Sequence, residues 1–240
     1  MYLFADDTKI FKVIKNSEDE EILQKDLITM GTWSDTWLLR MHPEKCKHMH
    51  IGKQQRRTVE TPATYKLLGN DLARTDKEKD IGLIIDPELT FEYHISEKIK
   101  KANQIFGLLR RTFHFMDKKS FMLLYKSLVR TQLDYASAVW APYKIKDIDR
   151  LEAVQRRATK SLPGMNNLSY PERLKILNLP TLSYRRIRGD MIELYKLTNN
   201  IYDEEASSFF KSMEGCGTPA QQQRKHKNDI PAAFQNIVTE

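Results

Sequence analysis

Residues 2–14 read YLFADDTKIFKVI. An apolar run, Tyr2-Leu3-Phe4-Ala5, meets two adjacent carboxylates, Asp6 and Asp7, and a second strand-like run follows at 10–14. β-branched and aromatic residues suit strands. Asp suits a tight turn because its side chain hydrogen-bonds nearby backbone. The stretch therefore reads as a β-hairpin around Asp6-Asp7. It also reads as a metal site, because Mg²⁺ takes oxygen ligands from one or two carboxylates and completes its octahedron with water and phosphates. Two adjacent acids do not separate these readings.

Working outward, Ser17 reads as an N-cap before the acidic first turn Glu18-Asp19-Glu20-Glu21. Ile22, Leu23, Leu27, Met30, Trp33, Trp37 and Leu38 then recur mostly at helical steps, which predicts a helix with one buried face, ended by His42-Pro43. Lys45–Gly52 reads as a strand, and Gln54–Thr64 as a loop. Tyr65–Leu72 and Asp80–Ile85 read as two short strands around the charged turn at 74–79. From His94 the pattern becomes helical. Ile95, Ile99, Ala102, Phe106, Leu109 and Phe113 form one amphipathic stripe. Asp117 reads as the next cap, with Phe121, Leu124, Tyr125, Leu128 and Val129 on one face. A further helix carries Ile148, Leu151, Val154, Ala158 and Leu162 and ends at Pro163-Gly164. Ser169-Tyr170-Pro171-Glu172 reads as a helix start, and a last helix is predicted over 182–197. The tail beyond about 213 is polar and is expected to fray.

The fold class expected is α+β. A mixed segment at 1–93 precedes an all-helical segment at 94–205, and a polar tail occupies 206–240. Charge follows the same division. Residues 94–200 hold 21 Lys and Arg against 9 Asp and Glu, whereas residues 1–93 hold 14 against 17. A concentrated positive field favours a polyanion, most simply nucleic acid. The alternative is a solvated helical surface. Three predicted helices alternate apolar and basic residues: Lys98, Lys100, Lys101, Arg110 and Arg111 on the first; Arg150, Arg156, Arg157 and Lys160 on the second; Arg185, Arg186 and Arg188 on the third. No apolar run approaches the roughly 18 residues of a membrane span, and the N-terminus has no secretory pattern. With two cysteines and no disulfide framework, the setting expected is intracellular, nucleus or cytoplasm.

Cys46, His48 and His50 alternate, so one strand face would carry three zinc-ligand types, with His42 nearby. That spacing departs from known zinc patterns, and a half-buried Cys beside two surface histidines explains it as well. Trp33, Trp37 and Trp140 are expected in the core, with base stacking as the other reading.

The ordered series FADD, LQKDLITMGTWSDTWLLRMHPEKCKHMHIG, KEKDIGLIIDPELTFEYHISEKIKKA, YKSLVRTQLDYASAVWAP, LEAVQRRATKSLPG and YPERLKILNLPTLSYRRIRGDMIELYKL resembles the C-terminal palm and thumb of reverse transcriptases of non-LTR, LINE-like (jockey-type) retrotransposons. The resemblance covers about residues 1–203. It implies RNA-directed DNA polymerase chemistry, in which Asp6 and Asp7 hold two Mg²⁺ ions for nucleotidyl transfer to a primer 3′-hydroxyl. Lys79, Asp80, Ile81, Gly82 and Leu83 would form the primer grip. The basic helices would hold an RNA template and DNA primer by their phosphates, without reading sequence. In this family a third aspartate lies on a palm strand upstream of FADD, as do the fingers. Phe4 is the fourth residue of the chain, so the expectation is a C-terminal portion with an incomplete catalytic centre. Also, His48 stands where the family usually has an apolar residue. A non-catalytic nucleic-acid-binding module and a helical protein-interaction domain are the alternatives.

Overall fold

The computed structural model describes residues 2–4, 7–52, 64–113, 115–199 and 201–202. It is a mixed α+β fold with small two-stranded sheets and several helices. Contacts divide the described residues into two units. One holds those up to Glu78 together with Asp86–Leu89. The other holds Lys79–Ile85 and those from Thr90 onward. The expected polar tail lies outside the described residues.

In the first unit, β1 (Tyr2–Phe4) pairs antiparallel with β2 (Asp7–Lys9), and Phe4 stands opposite Asp7. The second strand is thus shorter and earlier than the expected 10–14. Residues 10–14 have no regular structure, and Phe11 stacks on Tyr2 with ring centroids 5.2 Å apart. Helix α1 (Ser17–Thr36) is capped by Asn16, whose side chain accepts from Asp19 N at 2.9 Å; Ser17 is the first helical residue, not the cap. The strand expected over 45–52 reduces to β3 (Lys47–His48), paired parallel with β6 (Ala73–Arg74). Tyr65–Leu72 is not one strand. It is a hairpin of β4 (Lys66–Leu67) and β5 (Asn70–Asp71), folded back at Leu68-Gly69 with both residues at positive φ. Gln24 on α1 holds this hairpin through paired 2.8 Å bonds to the N–H and C=O of Lys66. The Leu68 side chain fits against Gly31, where a Cβ would meet it at 3.0 Å.

The expected buried face of α1 is only partly formed. Gly31 and Ser34 are its buried residues, whereas Trp33, Trp37 and Leu38 are 47%, 66% and 85% exposed. The core expectation therefore fails for two of the three tryptophans. Two-residue strands cannot cover a 20-residue helix, and this unit's buried side chains of Leu67 and Leu72 come from the hairpin and its exit.

The second unit contains β7 (Glu78–Asp80, its last two residues), β8 (Leu83–Ile85), α2 (Glu92–Thr112), α3 (Lys118–Leu124), a π-helical turn (Tyr125–Val129), α4 (Arg130–Asp134), α5 (Ser137–Trp140), α6 (Ile145–Lys160), α7 (Tyr170–Leu177) and α8 (Leu182–Thr198). The α2 stripe buries Ile95, Ala102, Phe106 and Leu109 as expected, whereas Phe113, the residue after the last helical turn, is 43% exposed. Phe121, Tyr125, Val129 and Leu133 are all buried at steps of four. In an α-helix such steps drift by about 40° each. The wider π turn cancels part of that drift, and leaves Leu128 exposed. Asp117 caps α3 through Ser120 N and Lys119 N, and Ser169 and Glu172 form the capping box of α7. Trp140 is 1% exposed and donates Nε1–H to Tyr135 O at 2.7 Å.

A polar cluster lies inside this helical core. Tyr125 Oη donates to Gln155 Oε1 at 2.8 Å. Gln155 Nε2 donates to Tyr170 Oη and Pro180 O, each at 3.0 Å. Tyr170 Oη donates to Glu152 Oε1, and Glu152 Oε2 accepts from Leu182 N at 3.0 Å and Ser183 N at 3.3 Å. Burial raises both tyrosine pKa values and keeps them neutral donors.

His94 is fully buried against Trp140, 5.1 Å between ring centroids, and its Nδ1 accepts from Ile84 N at 3.1 Å. That bond fixes the tautomer with the proton on Nε2. Burial, aided by Lys98, lowers its pKa to about 4. The folded state therefore resists a proton that the unfolded chain takes up near 6.5. Stability is full above 6.5 and falls as pH drops toward 4, by up to about 3 kcal/mol. Urea unfolding followed by tryptophan fluorescence should show this slope between pH 7 and 5. His94→Asn, which keeps an acceptor but cannot titrate, should remove most of it.

Candidate nucleic-acid interface

β7 and β8 meet through Ile81 and Gly82, at φ 42° and 80°. Two positive-φ residues suit a tight hairpin, but a β-branched residue there is strained by about 1–3 kcal/mol. The helices hold the turn. Tyr135 Oη donates to Ile81 O at 2.9 Å, and a Cβ on Gly82 would stand 3.2 Å from the Tyr135 ring. Lys98 Nζ lies 5.4 Å from the centroid of the same ring. Of the primer-grip residues, Lys79 and Ile81 are exposed, and Asp80, Gly82 and Leu83 are half-buried.

α2 and α6 run side by side. Arg150 Nη2 donates to Ser96 Oγ at 3.0 Å, and Arg157 Nη1 donates to Asn103 Oδ1 at 3.1 Å. Each pair is 54 residues apart, so the two helices are parallel. Their shared seam is marked by Ser96 and Asn103 from α2 and Arg150 and Arg157 from α6, and Lys100 and Lys160 follow on the same helix faces at steps of three and four. Lys100, Arg150, Arg157 and Lys160 are exposed along it. From Ser96 to Arg110 α2 rises about 21 Å, a length over which one strand of a duplex presents about six phosphates.

The predicted cations divide by environment. Among the described residues, Lys101, Arg110, Arg111, Arg157, Lys160 and Arg188 are exposed and meet no carboxylate at ion-pair distance. Arg156 is exposed but pairs with Asp149 at 3.4 Å and lies over the Tyr170 ring. Arg185 is half-buried and bonds Asp134 at 3.0 Å. Arg186 is 5% exposed, below α8 rather than on its outer face, because it shares the buried stripe begun by Leu182 four residues earlier. Lys144 and Lys146 both reach Glu92 and hold its carboxyl below the usual range. Sequence reading passed over Ser96, Asn103 and Tyr135, whose roles depend on contacts more than fifty residues apart.

Asp7 is exposed on β2 in the first unit, and Asp6 lies outside the described residues. Among the described residues no group of three His, Cys, Asp or Glu side chains gathers to hold a metal ion. The same holds for Cys46, His48 and His50; His48 Nδ1 bonds Leu72 O at 3.2 Å and its ring meets Tyr65 edge-on. Among the described residues, no helix is long and apolar enough to cross a membrane.

The chain is similar to the "Probable RNA-directed DNA polymerase from transposon BS" of Drosophila melanogaster, 25% identical over 146 residues. The match covers 58% of this chain and 16% of that protein, so the chain spans a small part of its relative. No protein-family model matches the chain, and no solved structure does.

Burial separates Arg186 from the exposed cations. If the exposed cations bind nucleic acid, Arg186→Met should leave affinity for an RNA–DNA hybrid within about twofold, measured by fluorescence anisotropy, whereas an exposed cation such as Arg157 should not be replaceable at so small a cost.

Proposed function

We propose that this chain is a palm-and-thumb portion of a non-LTR retrotransposon reverse transcriptase, and that its helical unit grips a template–primer hybrid without reading sequence. The observation that carries the reading is the parallel α2–α6 seam with its exposed Arg157 and Lys160, which meet no carboxylate among the described residues. Support comes also from the similarity to a transposon RNA-directed DNA polymerase and from the 21 basic residues packed into 94–200. Guanidinium and ammonium groups on two parallel helices meet phosphates as point and fork donors, which gives affinity and register but no base preference. The β7–β8 hairpin, fastened to α2 through His94 and to Tyr135 at the end of α4, would be the primer grip, and Asp6 and Asp7 would contribute to the metal site of the longer polymerase.

If four to six phosphates are neutralised, log K for an RNA–DNA hybrid should fall with log salt at a slope of about −4 to −5. Reversing Arg157 and Lys160 to Glu should flatten that slope by about 2 and weaken all sequences alike. A flat response in the parent chain would favour the protein-interaction alternative.

Binding without synthesis is the second expectation. Two Mg²⁺ ions carry four positive charges, and among the described residues no group of three His, Cys, Asp or Glu side chains gathers to hold a metal ion. The purified chain should bind a primed RNA template yet not extend the primer with Mg²⁺ or Mn²⁺. Template-dependent extension that is lost in Asp7→Ala would overturn this expectation.

A further inference from the structure

A helix at a protein surface ordinarily buries an apolar stripe and turns its charges to water. In α8 the arrangement is inverted. Its inward side, packed toward α5 and α6, carries Leu182 and Arg186, both buried, with Asp190, Glu193 and Lys196 half-buried beside them. Arg185 bonds Asp134, and Glu193 accepts from Lys196 and from Tyr202, so these charges are met within the chain. The outward side carries Tyr184, Ile187, Met191, Leu194 and Tyr195, each 40–62% exposed. Arg188 is the one formal charge among them. Tyr184, Ile187, Met191, Leu194 and Thr198 follow at steps of three, four, three and four, the spacing of a seam along which one helix packs on another. The five apolar side chains present on the order of 500 Å², at the upper end of what a monomer leaves to water.

We propose that the outward face of α8 is a docking surface for a second copy of this chain, with the two α8 helices antiparallel about a two-fold axis near Met191. The face is convex, apolar and nearly uncharged, so it fits another helix of the same kind rather than a phosphate backbone. The matching surface is present in the chain itself, and two-fold pairing closes on itself without leaving a free face. Two copies together remove on the order of 1,000 Å² from water through these side chains alone, the size at which specific interfaces begin. In this register position 187 stands opposite position 195 and position 184 opposite position 198. The two Arg188 side chains are then offset by about 9 Å along the seam, whereas a parallel pair would set them level. The surface lies on α8 and not on the α2–α6 seam, so it is independent of the hybrid-gripping function.

Sedimentation equilibrium of the full, nuclease-treated chain at high salt, where bridging by phosphates is screened, should show monomer and dimer in exchange at micromolar concentration. Met191→Asp and, separately, Ile187→Asp should raise the dissociation constant at least about tenfold, with circular dichroism verifying the fold. Leu123→Asp, at a 69% exposed position on α3, should leave it unchanged. Leu194→Glu should weaken the dimer less than Leu194→Lys, because the antiparallel register sets position 194 beside Arg188 of the partner subunit. The opposite order overturns that register. A chain that stays monomeric over the same range overturns the docking surface, whether or not it binds a hybrid. If that monomer binds neutral phosphatidylcholine vesicles and Met191→Asp abolishes the binding, the face belongs to a lipid surface instead. A dimer that both α8 variants leave intact, or that Leu123→Asp weakens as much, overturns it too.

Discussion

Glu152 lies in the middle of α6 at 5% exposure, and the arrangement of the later helices follows from where its carboxylate can be satisfied. An unpaired carboxylate there would cost several kcal/mol. Its acceptors are filled by the phenol of Tyr170 at the start of α7 and by the backbone N–H groups of Leu182 and Ser183 at the start of α8. Those two N–H groups belong to the first turn of α8, where no intrahelical carbonyl reaches them. A negative charge also suits the positive end of the helix dipole. One side chain of α6 thus fixes the entry of two later helices. Gln155, one turn on, binds Tyr125, Tyr170 and the Pro180 carbonyl and extends the tie to the π turn.

The same packing places the cationic seam. α6 presents Leu151, Val154 and Ala158 inward, and with 3.6 residues per turn Arg150 and Arg157 are left at its rim beside α2. Their hydrogen bonds to Ser96 and Asn103 hold the guanidinium groups extended along the seam rather than free to sweep. Less rotamer freedom is then lost when a phosphate binds. In the first unit the long-range tie is the exposed pair of bonds between Gln24 and the Lys66 backbone. Its sheets are two strands each, and Trp37, Leu38 and Leu39 at the end of α1 remain exposed.

What the sequence made legible was local. The α2 stripe up to Leu109, the Asp117 cap, the Ser169–Glu172 box and the break at Pro163-Gly164 are written within a few residues of where they act, and each formed as read. Readings that depended on distant partners fared differently. The Tyr65–Leu72 run is apolar enough for a strand but folds at Leu68-Gly69, because Gln24 and Gly31 of α1 receive the two sides of a hairpin. The basic triplet Arg185, Arg186 and Arg188 looks uniform in sequence. Its members part only when the Leu182 stripe is followed forward by four residues, which takes Arg186 into the core. The seam was half legible: its cations could be named, but the pairing of α2 with α6 joins residues 54 apart across the helical segments between them.

The hairpin turn shows how a local element can take its shape from remote residues. Ile81 is a poor choice for φ 42°. Its carbonyl is held by Tyr135 Oη, and the Tyr135 carbonyl is held by Trp140 Nε1. The Trp140 ring packs on His94, and His94 Nδ1 takes the N–H of Ile84, three residues past the strained position. The contacts close a circuit that begins and ends in β7–β8. Each member restrains the next, so strain at Ile81 cannot relax without moving a fully buried histidine and a tryptophan that is 1% exposed. Gly82 completes the constraint, since at φ 80° a side chain would be strained and its Cβ would stand 3.2 Å from the Tyr135 ring, so that the ring would have to give by a few tenths of an ångström. The geometry of the turn is therefore a property of the helical unit, and a surface built on it has the rigidity of the core beneath.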